Sequence, residues 1–271
     1  MVSEKIALRK EEAGLKTPTL TTYVLYDPLG QNRKRPAVLV CPGGGYGMCS
    51  PREAEPIAMQ FAAAGYQAFV LDYSVAPAKY PRALEEASMA MALIREKAEE
   101  WSVDVDKIAV CGFSAGGHLA GNLANCWAEE NLSSFNGQNR PNAAILCYPV
   151  LTAGEFAHQG SFENLLTDPM DQAARDRVCI EKHISANTPP TFLWHTVADN
   201  CVPVENSLIM ATELQKAKIP FELHIYPEGC HGLSLANSEV CGELENYYPH
   251  VATWMPLAIE WLDNLFGKAH N

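Results

Sequence analysis

The feature that most constrains the fold is a regular alternation of short apolar runs with helix-compatible segments. We interpret as strands the apolar runs at residues 19–26, 36–41, 67–73, 107–113, 142–150, 191–197 and 221–227. We interpret as helices, from composition and stop signals, residues 53–66, 80–101, 115–128, 204–217 and 250–266. Short strands buried on both faces and alternating with helices indicate an α/β fold with a mostly parallel sheet. The first strand, by contrast, is expected to be antiparallel.

Length and composition fit one domain of this class. The chain has 271 residues, of which 48% are hydrophobic and 19% are charged, and it contains no repeat, linker or low-complexity tract. We therefore predict a single domain over residues 1–271. Residues 151–190 interrupt the alternation with a long polar stretch that has a helix-compatible middle, and such stretches are often functional loops. A lid-like insertion and a plain surface helix with its connections both stay open as interpretations.

Charge and cysteine usage limit the partners and the compartment. The net charge of −12 argues against binding to a nucleic-acid backbone, which requires clustered lysine and arginine. The N-terminus has no signal-peptide pattern, and no stretch approaches the roughly 18 to 20 apolar residues of a membrane span. The nine cysteines lack Cys-x-x-Cys spacing, which indicates free thiols. We expect a cytoplasmic protein with no nucleic-acid or membrane partner, and the oligomeric state stays open.

The segment VCGFSAGGHLAGN, residues 110–122, places Ser114 directly after an apolar strand and directly before a helix. This is the context of a nucleophile elbow, in which the serine stands on a sharp strand-to-helix turn. Strand and helix approach closely at such a turn, and Gly112 and Gly116 are small enough to permit it. The amide of Ala115 would then donate to an oxyanion, aided by the helix dipole. Taken alone, the Gly-x-Ser-x-Gly pattern is equally compatible with an ordinary turn.

Two later loops supply an acid and a base in the order that the elbow requires, which is nucleophile, acid, then histidine. Asp199 follows the strand at 191–197, and His231 follows the strand at 221–227. His231 would accept the serine proton, while Asp199 would hold the imidazole in the right tautomer and stabilise its charged form. Separately, Asp199 is also readable as a helix N-cap or turn aspartate and His231 as a loop histidine without a role. Their order and context favour catalysis.

The glycine cluster in CPGGGYGMCS, residues 41–50, follows an early strand. Glycines let backbone N–H groups approach a tetrahedral oxyanion without interference from side chains. Gly44 and Gly45 are therefore the expected donors beside Ala115. The alternative is a glycine-rich turn that binds nothing.

The remaining histidines and glycines give no sign of a metal or a cofactor. His118 lies one helical turn after Ser114 and is expected to be packed, as are His195 and His224 within their strands. His183 lies in the insertion, with a structural role or a substrate contact as its alternatives. No histidine or carboxylate cluster has metal-ligand spacing. The glycine cluster lacks the Gly-x-Gly-x-x-Gly spacing, and the elbow lacks a P-loop lysine, so we predict neither metal nor cofactor.

With these residues identified, the chain resembles the α/β-hydrolase superfamily and, within it, bacterial acetyl esterases and acetyl xylan esterases. The resemblance rests on the segments CPGGGY, LDYSVAP, GFSAGGHLA, PPTFLWHTVADNCVPVENS and EGCHGLSLA. It implies the α/β-hydrolase fold, with about eight mostly parallel strands flanked by helices. It also implies hydrolysis of esters by a serine, often with removal of acetyl groups from carbohydrates.

The resemblance assigns roles to residues of this chain. Nucleophile, acid and base fall on Ser114, Asp199 and His231, and the oxyanion hole falls on Gly44, Gly45 and Ala115. One departure is Pro42, because the lipase-like esterases have histidine before the three glycines. Backbone donation survives this change, but a side-chain bond that would brace the loop is lost.

The sequence thus predicts a serine carboxylesterase for short-chain esters, with acetylated sugars or oligosaccharides as expected small-molecule substrates. Three alternatives stay open: a prolyl-oligopeptidase-like exopeptidase, a lipase-like esterase of non-sugar esters, and a non-catalytic binding protein. Tyr46, Leu233 and the 151–190 insertion are candidates for the substrate-pocket walls. Cys230, next to His231, predicts an activity that is sensitive to thiol reagents.

Overall fold

The computed structural model describes residues 1–31, 33–242 and 247–267. In these residues one eight-stranded sheet forms the centre of the molecule. Its strands are β1 (Lys5–Ala7), β2 (Thr19–Tyr23), β3 (Arg35–Cys41), β4 (Gln67–Asp72), β5 (Val103–Phe113), β6 (Ala143–Cys147), β7 (Thr191–Thr196) and β8 (Phe221–Tyr226). The helices are α1 (Glu55–Ala63), α2 (Arg82–Glu96), α3 (Ser114–Cys126), α4 (Gln159–Leu165), α5 (Gln172–Arg177), α6 (Glu205–Ala217) and α7 (Trp254–Phe266).

The strand order is β1-β2-β4-β3-β5-β6-β7-β8. The strands from β3 to β8 pair in parallel, while β2 pairs antiparallel with both β1 and β4. The predicted mostly parallel sheet and its antiparallel early strand are therefore confirmed. Strand β1 was missed because its three residues lie largely exposed at the sheet edge. Strand β5 begins at Val103, four residues earlier than predicted, because its polar start VDVD resembles a turn.

The sheet is covered on both faces, and each central strand contributes to two cores. In β3, Ala37 and Leu39 pack into the cluster that includes α2, α3 and α6, whereas Val38 and Val40 pack into the cluster that includes α1 and α7. This alternation follows from the two-residue period of a strand. Each fully buried aliphatic side chain contributes about 1.5–3 kcal/mol, so the central strands are a rigid base for the loops at their carboxyl ends.

The insertion at 151–190 has the helical middle that its composition predicts. It contains α4, α5 and a 3₁₀ turn, Ile180–His183. Phe162, Leu165 and Ile180 are buried in the same core cluster as α3, and the Ile180 N–H donates to the Leu151 carbonyl at 3.0 Å. The insertion is thus packed onto the body of the fold. Within the described ranges, no helix combines the length and the apolarity needed to cross a bilayer.

Candidate active site

Ser114 stands at the junction of β5 and α3 with a left-handed backbone, φ 51°. Such a conformation costs a non-glycine residue about 1–3 kcal/mol, so the surrounding packing must enforce it. A Cβ at Gly112 would collide with the carbonyl oxygen of Gly116, and a Cβ at Gly116 would collide with the carbonyl oxygen of Cys41. Both glycines are therefore required by the close approach of strand and helix, as the elbow interpretation predicts.

The structure brings Ser114, His231 and Asp199 into one hydrogen-bonded chain. His231 Nε2 lies 2.8 Å from the Ser114 hydroxyl oxygen, and His231 Nδ1 lies 2.7 Å from Asp199 Oδ2. With the carboxylate ionised, Nδ1 carries the proton and donates it to Asp199, which leaves Nε2 to accept from Ser114. The Asp199 side chain is fully buried, and that of His231 is 17% exposed. This geometry is suited to proton transfer from the serine to the histidine.

Asp199 holds both its own loop and the histidine. Oδ1 accepts the N–H groups of Cys201 and Val202 at 2.9 and 2.8 Å, so Asp199 is also a turn aspartate, whereas the N-cap position of α6 is held by Val204. Burial by itself would raise the pKa of Asp199, but hydrogen bonds from His195 and His231 outweigh it and hold the pKa well below its usual value. The carboxylate is therefore ionised throughout the neutral range.

His195 also contacts the Asp199 carboxylate. This contact was not predicted from the sequence. His195 is fully buried, as expected of a core histidine. Its Nδ1 lies 2.8 Å from the Ser207 hydroxyl, and its Nε2 lies 3.0 Å from the Val202 carbonyl and 3.3 Å from Asp199 Oδ2. These partners place the proton on Nε2, where it faces two acceptors. The four-residue spacing of His195 and Asp199 across a strand end is the only signal in the sequence.

The glycine loop lies directly against the serine. A Cβ on Gly43 would stand 3.0 Å from the Ser114 Cβ, and Gly44 and Gly45 have φ values of 125° and 62° that favour glycine. Among the described residues, the N–H groups of Gly44 and Gly45 donate to no protein acceptor. The Ala115 N–H lies in the first turn of α3, where no intrahelical acceptor exists. The three predicted donors thus lie in the two segments that meet at Ser114, the glycine loop and the first turn of α3.

The two candidate pocket walls are core residues in this structure. Tyr46 is 3% exposed, with its hydroxyl 2.7 Å from His118 Nδ1. Leu233 is 2% exposed, and its side chain fills the space beside Gly229. Side chains buried this completely offer a substrate almost no surface, so the structure does not support either residue as a wall. The sequence could not reveal this, because a loop residue next to a glycine has no periodicity to indicate its direction.

The insertion contributes residues beside the glycine loop. Asn164 on α4 donates to the Gly45 carbonyl at 2.9 Å, and Ser161 Oγ lies 3.9 Å from the position that a Gly45 Cβ would take. His158 Nδ1 lies 2.8 Å from that same Ser161 hydroxyl. Burial lowers the pKa of His158, and positive charge on nearby His231 lowers it further. One end of α4 therefore lies beside the triad. From the sequence, the 151–190 insertion was a candidate for a wall of the substrate pocket only as a whole.

A buried carboxylate, Glu53, lies behind the glycine loop and was not singled out from the sequence. Its Oε2 accepts the Gly43 N–H at 2.8 Å, and its Oε1 accepts the Tyr148 hydroxyl at 2.5 Å. Burial raises the pKa of Glu53, although both hydrogen bonds oppose this rise. Glutamate at the end of a short polar stretch carries no sequence signal of burial.

The contacts of His118 and His224 lie outside the triad. His118 is packed as predicted, between the Tyr46 hydroxyl and the Val178 carbonyl. His224 is not a core residue, because β8 is an edge strand; it is 27% exposed and lies 2.7 Å from Glu222.

His183 belongs to a separate cleft of about 920 Å³, whose lining contains none of the three triad residues. One potential metal-ligand atom from each of His183, Cys126 and Glu129 lies within 4.8 Å of the other two. This is the one group of three such side chains in the described part of the chain. Sequence spacing could not reveal this group, because the insertion brings His183 to the end of α3 only in the folded chain.

Comparison with known proteins adds independent information. A family model described as BD-FAE matches residues 24–214. Endo-1,4-beta-xylanase B of Butyrivibrio fibrisolvens is 40% identical over 232 residues, which are 82% of this chain and 35% of that protein. The acetylxylan esterase of Xylanibacter ruminicola is 28% identical over 213 residues, which are 75% of this chain and 42% of that protein. The chain spans less than half the length of these two curated relatives.

A solved structure matches over nearly the whole chain. It is the acetyl ester-xyloside bifunctional hydrolase of Caldicellulosiruptor lactoaceticus, with 35% identity and a TM-score of 0.84 over 97% of this chain and 96% of that one.

Proposed function

The chain belongs to the BD-FAE family and has the α/β-hydrolase fold, and from this we propose that it is a serine esterase that removes acetyl and other short acyl groups from carbohydrates. The observation that carries the proposal is the hydrogen-bonded chain from Ser114 through His231 to Asp199. Relatives named as an acetylxylan esterase and an acetyl ester-xyloside hydrolase support the acetyl group and the sugar.

In the proposed acylation step, Ser114 Oγ attacks the acyl carbonyl carbon while His231 Nε2 takes the hydroxyl proton. Asp199 stabilises the resulting imidazolium through its bond to Nδ1. The carbonyl oxygen becomes an oxyanion that accepts the N–H groups of Gly44, Gly45 and Ala115. When the tetrahedral intermediate collapses, the alcohol leaves with the proton from His231, and the acyl group stays on Ser114.

Deacylation repeats these steps with water as the nucleophile. His231 takes a proton from the water molecule, whose oxygen attacks the acyl-serine carbonyl carbon. Collapse of the second intermediate returns the proton from His231 to Ser114 and releases the carboxylic acid. One ester and one water are consumed, and the enzyme ends in its starting state.

The end of α4 supports a hydroxylated leaving group. The partly buried His158 imidazole lies at this end of the helix, and the fully buried Ser161 hydroxyl beside the glycine loop bonds its Nδ1, which leaves Nε2 as a hydrogen-bonding group. A further hydroxyl of a sugar can bond to this nitrogen, whereas a simple alkyl alcohol has no further hydroxyl to offer it. This preference separates the proposal from the lipase-like alternative.

The proposal is tested with p-nitrophenyl esters of increasing acyl length and with acetylated xylose and xylo-oligosaccharides. We expect the acetyl esters to be hydrolysed fastest, and we expect Ser114→Ala to lower kcat by about 10⁴-fold or more. Ser134→Ala, at an exposed serine, is the matched control and should keep wild-type rates.

Wild-type rates in Ser114→Ala would contradict the proposed nucleophile. Faster turnover of aminoacyl-p-nitroanilides than of acetyl esters would favour an exopeptidase instead. Failure of a fluorophosphonate probe to label Ser114 in the folded protein would favour a non-catalytic binding role.

A further inference from the structure

Glu53 is a buried carboxylate that the reaction scheme leaves unused, and for it we propose a role that rests on the esterase function above. Glu53 is a positioning residue: it holds the glycine loop and the loop of His231 in register, and its negative charge stabilises the imidazolium that forms on His231. Glu53 touches neither Ser114 Oγ nor the expected substrate position, so it acts through its neighbours.

The first contact fixes the glycine loop. Glu53 Oε2 accepts the Gly43 N–H at 2.8 Å. A Cβ on Gly43 would lie 2.7 Å from this oxygen and 3.0 Å from the Ser114 Cβ. The Gly43 backbone is therefore held between the carboxylate and the serine, and it sets the position of the two oxyanion donors that follow it.

The second contact reaches the histidine loop through a tyrosine. The Tyr148 hydroxyl donates to Glu53 Oε1 at 2.5 Å and accepts the Ser234 N–H at 2.9 Å. The Tyr148 ring packs edge-on against the His231 ring, with the ring centres 5.1 Å apart. Ser234 lies three residues after His231, so this relay joins the carboxylate to the loop that carries the base.

The neighbouring residue strengthens the same connection. Arg52 donates to the carbonyls of Gly232 and Val240 at 2.9 and 3.2 Å, and its own carbonyl accepts the Ser234 hydroxyl at 2.6 Å. Arg52 and Glu53 both belong to the 3₁₀ turn Pro51–Glu53. One turn of chain therefore binds both loops that the reaction depends on.

The hydrogen bonds also indicate the charge of Glu53. Both carboxylate oxygens accept, one from an N–H and one from an O–H whose oxygen already accepts from Ser234, which is the pattern of an ionised carboxylate. The titratable groups around His231 are Asp199, His158, Tyr148, Cys230 and the Glu53 carboxylate, with Arg52 on the neighbouring Gly232 carbonyl. Glu53 is thus a second anion that favours the protonated imidazole.

The test is Glu53→Gln, with Glu55→Gln as the matched control at an exposed acid two residues away. In Glu53→Gln we expect kcat to fall about 10- to 100-fold, the scale of one lost hydrogen bond to a charge, with KM nearly unchanged. We also expect the acid limb of the kcat/KM profile to move to lower pH, because loss of the anion makes His231 easier to deprotonate. A purely structural role would lower the melting temperature without moving this limb.

Tyr148→Phe tests the hydrogen-bonded connection from Glu53 to Ser234 separately from the charge of Glu53. It removes the hydroxyl that links Glu53 to Ser234 but keeps the carboxylate, so we expect a lower kcat without movement of the acid limb to lower pH. Wild-type kcat and an unmoved acid limb in folded Glu53→Gln would overturn the proposal. If Glu53→Gln does not fold, wild-type kcat in Tyr148→Phe would overturn it.

A wild-type protein that hydrolyses no ester would contradict the proposed function rather than this inference. In that case the titration midpoint of the His231 imidazole, followed by NMR in the wild type, Glu55→Gln and Glu53→Gln, still measures the effect of the Glu53 charge. An equal midpoint in all three proteins would overturn the inference.

Discussion

The His118 side chain shows how burial, as the largest cause, can set the charge of one residue. It is fully buried beneath the glycine loop, and burial lowers its pKa to about 4. Its two ring nitrogens lie 2.7 Å from the Tyr46 hydroxyl and 2.7 Å from the Val178 carbonyl, which satisfies a neutral imidazole. The neutral imidazole is therefore favourable at this buried position, whereas the protonated imidazole would destabilise the folded protein.

This residue makes stability depend on pH. Because the folded pKa lies below the unfolded value of 6.5, the unfolded chain binds more protons between these values. The contribution of neutral His118 to the free energy of unfolding is present above pH 6.5 and is lost as the pH falls towards 4. We expect wild-type protein to lose up to about 2 kcal/mol more than His118→Gln between pH 7 and pH 5, measured by urea unfolding.

His224→Gln is the control for that experiment, because His224 lies partly exposed on an edge strand. It should keep the wild-type difference in stability between the two pH values. Equal pH dependence in wild type and His118→Gln would contradict the assignment.

At the scale of elements, the contact between β3 and α3 holds the elbow. The backbone of α3 at Gly116 touches the end of β3, where a Cβ would collide with the carbonyl oxygens of Cys41 and Pro42. Neither carbonyl can retreat, because both belong to the buried strand end and the loop that follows it. The position of Ser114 therefore depends on the absence of a side chain two residues later.

The corresponding prediction is that Gly116→Ala destabilises the protein by about 3 kcal/mol or more and abolishes esterase activity, because helix and strand must separate. Thermal and urea unfolding together with the acetate assay would measure both effects. Gly242→Ala is the control, because a Cβ there meets no atom of the described residues within 4 Å and should change stability by less than about 0.5 kcal/mol. Wild-type stability in Gly116→Ala would show that the packing at the elbow is looser than described.

At the scale of the whole molecule, the nine cysteines differ in how far solvent reaches them. Cys201 is exposed, Cys49, Cys230 and Cys241 are partly buried, and the other five are buried. Burial raises the pKa of Cys49 to about 12, which suppresses its thiolate. Thiol accessibility is thus a measure of global unfolding for this chain.

We predict that iodoacetamide labels Cys201 first in the native protein and labels nine thiols after unfolding, as counted by mass spectrometry. Modification of Cys230, which adjoins His231, should lower esterase activity because the added group crowds the base. Cys201→Ser serves as the control, since it removes the thiol that is expected to react first. This variant should retain esterase activity, and alkylation of Cys230 should still lower that activity. Full activity in protein alkylated at Cys230 would contradict the effect predicted for this thiol.

The sequence by itself determined the fold class, the order of the main strands and helices and the three triad candidates. This was possible because apolar periodicity, glycine positions and the order of serine, aspartate and histidine are properties of the linear chain. The proposal that residues 1–271 form one domain rests on the same kind of reasoning and stays a prediction.

Only the tertiary structure decided which groups surround those three residues. Glu53 and Tyr148 are 95 positions apart, and Asn164 and Gly45 are 119 apart, so no local pattern could connect them. Whether Tyr46 faces a substrate or the core likewise depends on how loops pack over the sheet. The positions of residues along the chain indicate which of them can react. The hydrogen bonds and charges that control these residues depend on packing between distant parts of the chain.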